Sequence, residues 1–148
     1  MEKQNFYDLN FDQLKVFLVE SAEVEPTKVK MRSQQLFNAV YKKNIKSFDE
    51  LTTFGTELRN KIKNLISLDK PKIIDIQKSK DGTIKFLLEL KDKRNVETVL
   101  IPDKTQSRYT ICLSVSVGCY LSCEFCATAQ ISKKLVRNLS PGEIISQI

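Results

Sequence analysis

Tyr109-Thr110-Ile111-Cys112-Leu113-Ser114-Val115-Ser116-Val117-Gly118-Cys119-Tyr120-Leu121-Ser122-Cys123-Glu124-Phe125-Cys126 decides how this chain is read. The first nine residues are rich in β-branched side chains and predict one continuous strand. Gly118 ends that run, and three cysteines follow at C-x3-C-x2-C spacing with an aromatic just before the last. Three thiolates from one short loop hold three irons of a cubane cluster and leave the fourth iron open to a substrate or cofactor. A loop that follows a strand and precedes a helix is also where barrel and open-sheet folds place their chemistry. The competing reading is a structural zinc site using all four cysteines. Zinc ligands usually come as two well-separated C-x2-4-C knuckles, whereas Cys112 lies inside the predicted strand, seven residues before Cys119. Read by itself, Cys112 is a small core residue of a strand.

Downstream, Ser140-Pro141-Gly142-Glu143 predicts a helix start, with Ser at the N-cap, Pro at N1 and Glu at N3. That helix is expected to be still running at Ile148. Upstream, residues 103–108 read as a polar linker. Before it, Val96 to Ile101 predicts a strand stopped by Pro102, Asp92 to Asn95 a polar turn, and Ile84, Phe86, Leu88 and Leu90 an alternating strand. Asp81-Gly82 marks a hairpin turn to a further strand containing Ile74 and Ile76. These strands form a small antiparallel sheet over 71–102.

The first 68 residues read as three helices. Leu14, Phe17 and Leu18 fall at helical spacing after Asn10, an N-cap with Gln13 three residues on. Leu36, Phe37, Val40 and Tyr41 make a second pattern, starting near Pro26 and Thr27. Ser47 and Glu50 form a capping-box pair, and Leu58, Ile62, Leu65 and Ile66 make the third pattern.

Composition narrows the chemistry. The chain has 148 residues, 41% hydrophobic and 28% charged, which is globular rather than disordered. It has no His and no Trp, which excludes Ser-His-Asp and Cys-His catalysis and two-histidine metal motifs. All four cysteines fall between 112 and 126. No run approaches the ~18 apolar residues of a membrane span, and the polar start Met1-Glu2-Lys3-Gln4-Asn5 is unlike a signal peptide. A cytoplasmic location with reduced thiols is expected. The formal charge of +6 suits a nucleic-acid partner without requiring one. Lys28, Lys30, Arg32, Lys42, Lys43 and Lys46 cluster on and after the second helix, and Lys133, Lys134 and Arg137 follow the cysteine loop. These are candidate phosphate contacts; a solvated helix face is the competing reading, and Glu20, Glu23 and Glu25 interrupt the first cluster.

Several motifs in order carry a family resemblance. They are Val96-Glu97-Thr98-Val99-Leu100-Ile101-Pro102, Thr110 to Cys119, Phe125-Cys126-Ala127-Thr128, and Arg137-Asn138-Leu139-Ser140 with Glu143-Ile144-Ile145. Arg32 with Gln35, Ser47 to Thr52, Leu58-Arg59 and Asp81 to Lys85 add to them. Together, across residues 30–148, they resemble the RlmN-type dual-specificity RNA methyltransferases of the radical S-adenosylmethionine (SAM) superfamily. The resemblance implies an α+β N-terminal domain over 1–104, with three helices and a small antiparallel sheet. It implies that 105–148 is the first β/α unit of a radical SAM (β/α) barrel, truncated here. The implied reaction is methylation of C2 of adenosine in 23S rRNA and tRNA, with a 4Fe–4S cluster and SAM as cofactors. Adenine C2 is electron-poor and takes no methyl group by simple displacement, so a cofactor must open a radical route.

By the same resemblance, Cys119, Cys123 and Cys126 are the cluster ligands, Cys112 is the cysteine that resolves a methyl-cysteine adduct by forming a disulfide, and Glu97 is the proton acceptor. Without it, Glu97 reads as an ordinary exposed strand carboxylate. An electron donor such as flavodoxin and a monomeric full-length protein are also implied, with no membrane partner. The sister family, which methylates C8 of the same rRNA base, shares the cysteine loop. An RNA-binding module with a structural metal is the non-catalytic alternative. The chain departs from the family in two loops, each about two residues longer than expected: one between Pro102 and Cys112, one between Cys126 and Arg137. Ala129 also stands where Gly is usual. Because family members are more than twice as long, the SAM amino-group contacts and the methyl-carrying cysteine are expected outside this chain, and the 148 residues alone are not expected to methylate RNA.

Overall fold

The computed structural model describes residues 3–103, 105, 107–121, 123–125 and 135–148. Its contacts divide the chain into two units, Met1–Asp69 and Lys70–Ile148.

The first unit is built on α1 (Phe11–Glu20), α2 (Pro26–Phe37) and α3 (Thr56–Leu65). Asn10 caps α1 through a full capping box: its side chain accepts from the Gln13 N–H at 2.8 Å, and Gln13 accepts from the Asn10 N–H at 2.9 Å. Pro26 opens α2, where a missing N–H costs no helical bond. The helix widens into a π segment, Asn38–Lys42. Leu36 and Val40 point into the core there, while the half-exposed Tyr41 ring lies 5.7 Å from Phe6 and 5.1 Å from Phe37. Phe6, Leu14, Leu18, Leu36, Ile62 and Ile66 form the most deeply buried part of this core.

Two expectations change in this unit. The Ser47–Glu50 capping box is present but heads a 3-10 turn, Phe48–Glu50; α3 starts separately at Thr56, after Gly55. Ile66 leaves the helix and forms β2 (Ile66–Ser67), which pairs in parallel with β1 (Gln4–Asn5). Helical spacing placed Ile66 correctly in the core and wrongly in the helix.

The second unit is a four-stranded antiparallel sheet in the order β3 (Lys72–Lys78), β4 (Ile84–Glu89), β5 (Asn95–Asp103), β6 (Arg108–Cys112). Gly82 at φ +94 makes the β3–β4 turn, where its missing Cβ leaves room for the Pro102 ring; an added Cβ would stand 3.1 Å from Pro102 Cγ. Ile74 is bulged out of the β3–β4 register. Leu88, Leu90 and Val96 form the core of one face with Leu139, and Phe86, Val117 and Ile144 pack around them.

Three further expectations are corrected here. Pro102 does not end β5, which continues to Asp103. By then β5 has outrun β4, whose first residue Ile84 pairs with Leu100, so one side of the strand needs no ladder bond. Where the polar linker is expected, Asp103 pairs with Arg108 across β5 and β6, and the Asp103 carboxylate accepts from the Thr105 N–H at 2.9 Å and the Arg108 side chain at 3.0 Å. The run 109–117 is not one strand. Residues up to Cys112 complete the sheet as its fourth strand, the chain bends through Leu113–Val115, and β7 (Ser116–Val117) pairs antiparallel with β8 (Arg137–Asn138).

The last helix, α4 (Pro141–Ile145), has the expected Ser140–Glu143 capping box but ends at Ile145, before Ile148. Arg137 anchors this region. Its guanidinium donates two 2.7 Å bonds to Glu143 and one of 2.8 Å to Asp92 in the β4–β5 turn. These bonds hold the Glu143 and Asp92 carboxyls below their usual range.

Candidate functional site

The cysteine loop is tied at its base. Val136 N–H donates to Val117 O at 2.8 Å, and Leu139 N–H to Val115 O at 2.9 Å. Gly118, at φ +78, turns the chain out of β7 one residue before Cys119. Cys119 and Cys123 are half-buried and their thiols are free. The Leu121 N–H donates to Cys119 Sγ at 3.4 Å. Tyr120, Leu121 and Phe125 around them are exposed. Cys126, Lys133 and Lys134, together with the atypical Ala129, lie outside the described residues.

Cys112 ends β6, exposed and also free. Among the described residues no group of three or more Cys, His, Asp or Glu is placed to hold a metal, so Cys112 is not gathered with Cys119 and Cys123. The donor set suits a cubane cluster: uncommitted thiols on one short loop, with a backbone N–H already turned to a sulfur.

Glu97 lies on β5, about half exposed, with its carboxylate 3.0 Å from Lys85 Nζ. Cys112 pairs with Val99, two residues along β5 from Glu97, so both side chains lie on the same face of the sheet. Lys85 also pairs with Val99 and shares that face. The sequence reading missed Lys85 as the partner of Glu97, although the alternation of β4 and β5 already implied a shared face.

The basic residues sort into two groups. Arg32 is committed to its own unit: it donates to Gln35 at 3.0 Å and Thr53 O at 2.9 Å and stacks over Phe54. Arg137 is committed to Glu143 and Asp92, and Lys28 pairs with Glu25 at 2.8 Å. Both arginines therefore have internal partners, which the sequence alone does not show. Lys30, Lys42 and Lys43 remain exposed. Among the described residues, no helix is long and apolar enough to cross a membrane.

Comparison with known proteins agrees with the sequence resemblance. Residues 4–68 match the family described as Ribosomal RNA large subunit methyltransferase N-terminal domain. The dual-specificity RNA methyltransferase RlmN of Campylobacter fetus is 39% identical over 98% of this chain and 41% of its own length. A probable dual-specificity RNA methyltransferase RlmN of Staphylococcus aureus is 38% identical over 99% of this chain and 38% of its own. The crystal structure of a radical SAM methyltransferase from Sphaerobacter thermophilus superposes with a TM-score of 0.80 at 32% identity, over 97% of this chain and 40% of that one. This chain thus spans about two-fifths of the length of the curated relatives it matches. By matched domain, by sequence along nearly its whole length and by fold, the chain is similar to the N-terminal two-fifths of the RlmN-type RNA methyltransferases.

Proposed function

We propose that this chain supplies the cysteine loop and the accessory module of an enzyme that methylates C2 of adenosine in 23S rRNA and tRNA. In this reading residues 105–148 begin the radical SAM barrel, and Cys119, Cys123 and Cys126 hold a 4Fe–4S cluster. When bound with SAM, that cluster supplies the one-electron chemistry that an electron-poor carbon needs. Glu97 accepts a proton from the substrate, and the exposed Cys112 thiol resolves the protein–RNA adduct. Lys30, Lys42 and Lys43 attract the RNA backbone. The target base must leave its stack to be reached. A flavodoxin-type donor supplies the electrons.

The observation that carries this reading is the loop itself. Two free, half-buried thiols follow Gly118 on a segment tied at its base by β7 and β8, with Glu97 and Cys112 on one face of the sheet that leads into it. Deleting the gene that carries this sequence, followed by nucleoside mass spectrometry of 23S rRNA and tRNA, tests it. Loss of 2-methyladenosine from both RNAs is expected. Loss of 8-methyladenosine would transfer the activity to the sister reaction, and unchanged nucleosides would refute the assignment.

A further inference from the structure

Gln147 makes more structural bonds than its place beyond the last helix suggests. Its Oε1 accepts from the Thr98 hydroxyl at 2.8 Å and from the Ser114 N–H at 3.1 Å. Its Nε2 donates to Ser114 O at 2.9 Å and to Glu143 O at 3.1 Å. All four hydrogen-bonding positions of the amide are filled. Ser114 lies at the bend between β6 and β7, where the strand ladder lapses. Among the described residues, Gln147 is the partner of both of its backbone polar groups, and the amide bonds to them as the peptide of a neighbouring strand would. The Ser114 hydroxyl completes the clamp by donating to Glu97 O at 2.7 Å.

We propose that Gln147 is a positioning residue. It holds the bend between Cys112 and Cys119, and so fixes where the resolving thiol ends β6 relative to where the cysteine loop begins. This role rests on those given above for Cys112 and Cys119; the clamp does not depend on them. Thr98 is almost fully buried beside Glu97 and holds the clamp to β5, while Glu143 O holds it to α4.

Two measurements on the purified protein test this, each comparing wild type with Gln147→Ala and Gln147→Glu. The first is amide hydrogen exchange. The Ser114 amide should exchange about tenfold faster in Gln147→Ala, the factor expected for one lost hydrogen bond. Amides of β4 and of β5 at Val96 should be unchanged. Gln147→Glu keeps the shape but turns a carboxylate oxygen toward Ser114 O and Glu143 O, so it should also loosen the bend. The second measurement is iron bound after anaerobic reconstitution, with the EPR signal of the reduced cluster. Both variants should bind less iron and give a broadened signal at an unchanged free-thiol count. Unchanged Ser114 exchange in both variants would overturn the clamp. Faster exchange with unchanged iron and EPR would overturn its positioning role. If Gln147→Ala fails to fold, Gln147→Glu decides alone. A wild type that binds no iron would sink the cluster reading, while the exchange data would still decide the clamp.

Discussion

Glu97 and Cys112 lie on one face of the four-stranded sheet, on neighbouring strands, offset by one residue pair: Cys112 faces Val99, and Glu97 stands two positions back along β5. Side chains so placed are diagonal neighbours, roughly 7–8 Å apart at the backbone. They are fifteen residues apart in sequence. The antiparallel pairing of β5 with β6 brings them together, and the connection between those strands is where a longer loop than the family's is expected. A longer hairpin loop leaves the register of β5 and β6 intact, because surface loops absorb insertions at small entropic cost.

Glu97→Gln separates chemistry from folding. The Lys85–Glu97 pair is partly exposed, and such pairs contribute about 0–1 kcal/mol, so unfolding should shift by no more than that. Loss of a proton acceptor should cut the methylated adenosine by about 100-fold or more. Thermal unfolding and nucleoside mass spectrometry read the two effects. Equal product from the variant would remove Glu97 from the proposed role.

Arg137→Met should cost about 1 kcal/mol through the loss of its solvent-screened bonds to the partly buried Glu143, and it also releases the exposed Asp92. The pair also makes stability depend on acid. Glu143 and Asp92 have folded-state pKa values below their unfolded ones. Their contribution is therefore complete above about pH 4–5, the unfolded carboxylate range, and is lost as pH falls through the lowered values. Urea midpoints measured down to acid pH should fall in wild type and stay flatter in the variant. Parallel curves would mean that the ion pairs add nothing.

The elements that were legible in the sequence had short-range signals. Asn10 with Gln13, Ser140 with Glu143 and Asp81-Gly82 each act within four residues, and each is found as expected. The elements that were not legible depend on distant partners. β1 and β2 have two residues each, too few for a period, and exist only because Gln4 and Ile66 meet. The run 109–117 is rich in β-branched residues and holds no Gly or Pro, so no local breaker marks the bend at Ser114. The bend becomes visible only with Gln147, thirty-three residues away. The cysteine loop was read by its spacing and its resemblance, because thiol chemistry requires few residues in fixed order. The internal partners of Arg32 and Arg137 were not legible, because charge alone does not reveal them.

Asn10→Ala removes the N-cap of α1 and strands the Gln13 N–H. A cost of about 1 kcal/mol is expected, with Asn10→Ser close to neutral. Denaturant titration of both variants checks the ranking. Equal stability of Ala and Ser would mean that water satisfies the helix end as well as the side chain does.

Gly82→Ala tests the hairpin that sets the β3–β4 register. Two effects add. Gly82 has φ +94, a conformation that an L residue adopts only under strain. The new Cβ would also stand 3.1 Å from Pro102 Cγ, close enough that the proline ring must shift. A loss of about 1–2 kcal/mol is expected, more than an exposed turn substitution usually costs. Pairing the substitution with Pro102→Ala separates the terms. The double variant should recover the contact penalty and keep the backbone penalty, so its loss should be smaller than the sum of the single losses. Simple additivity would show that the backbone conformation alone requires glycine at this turn.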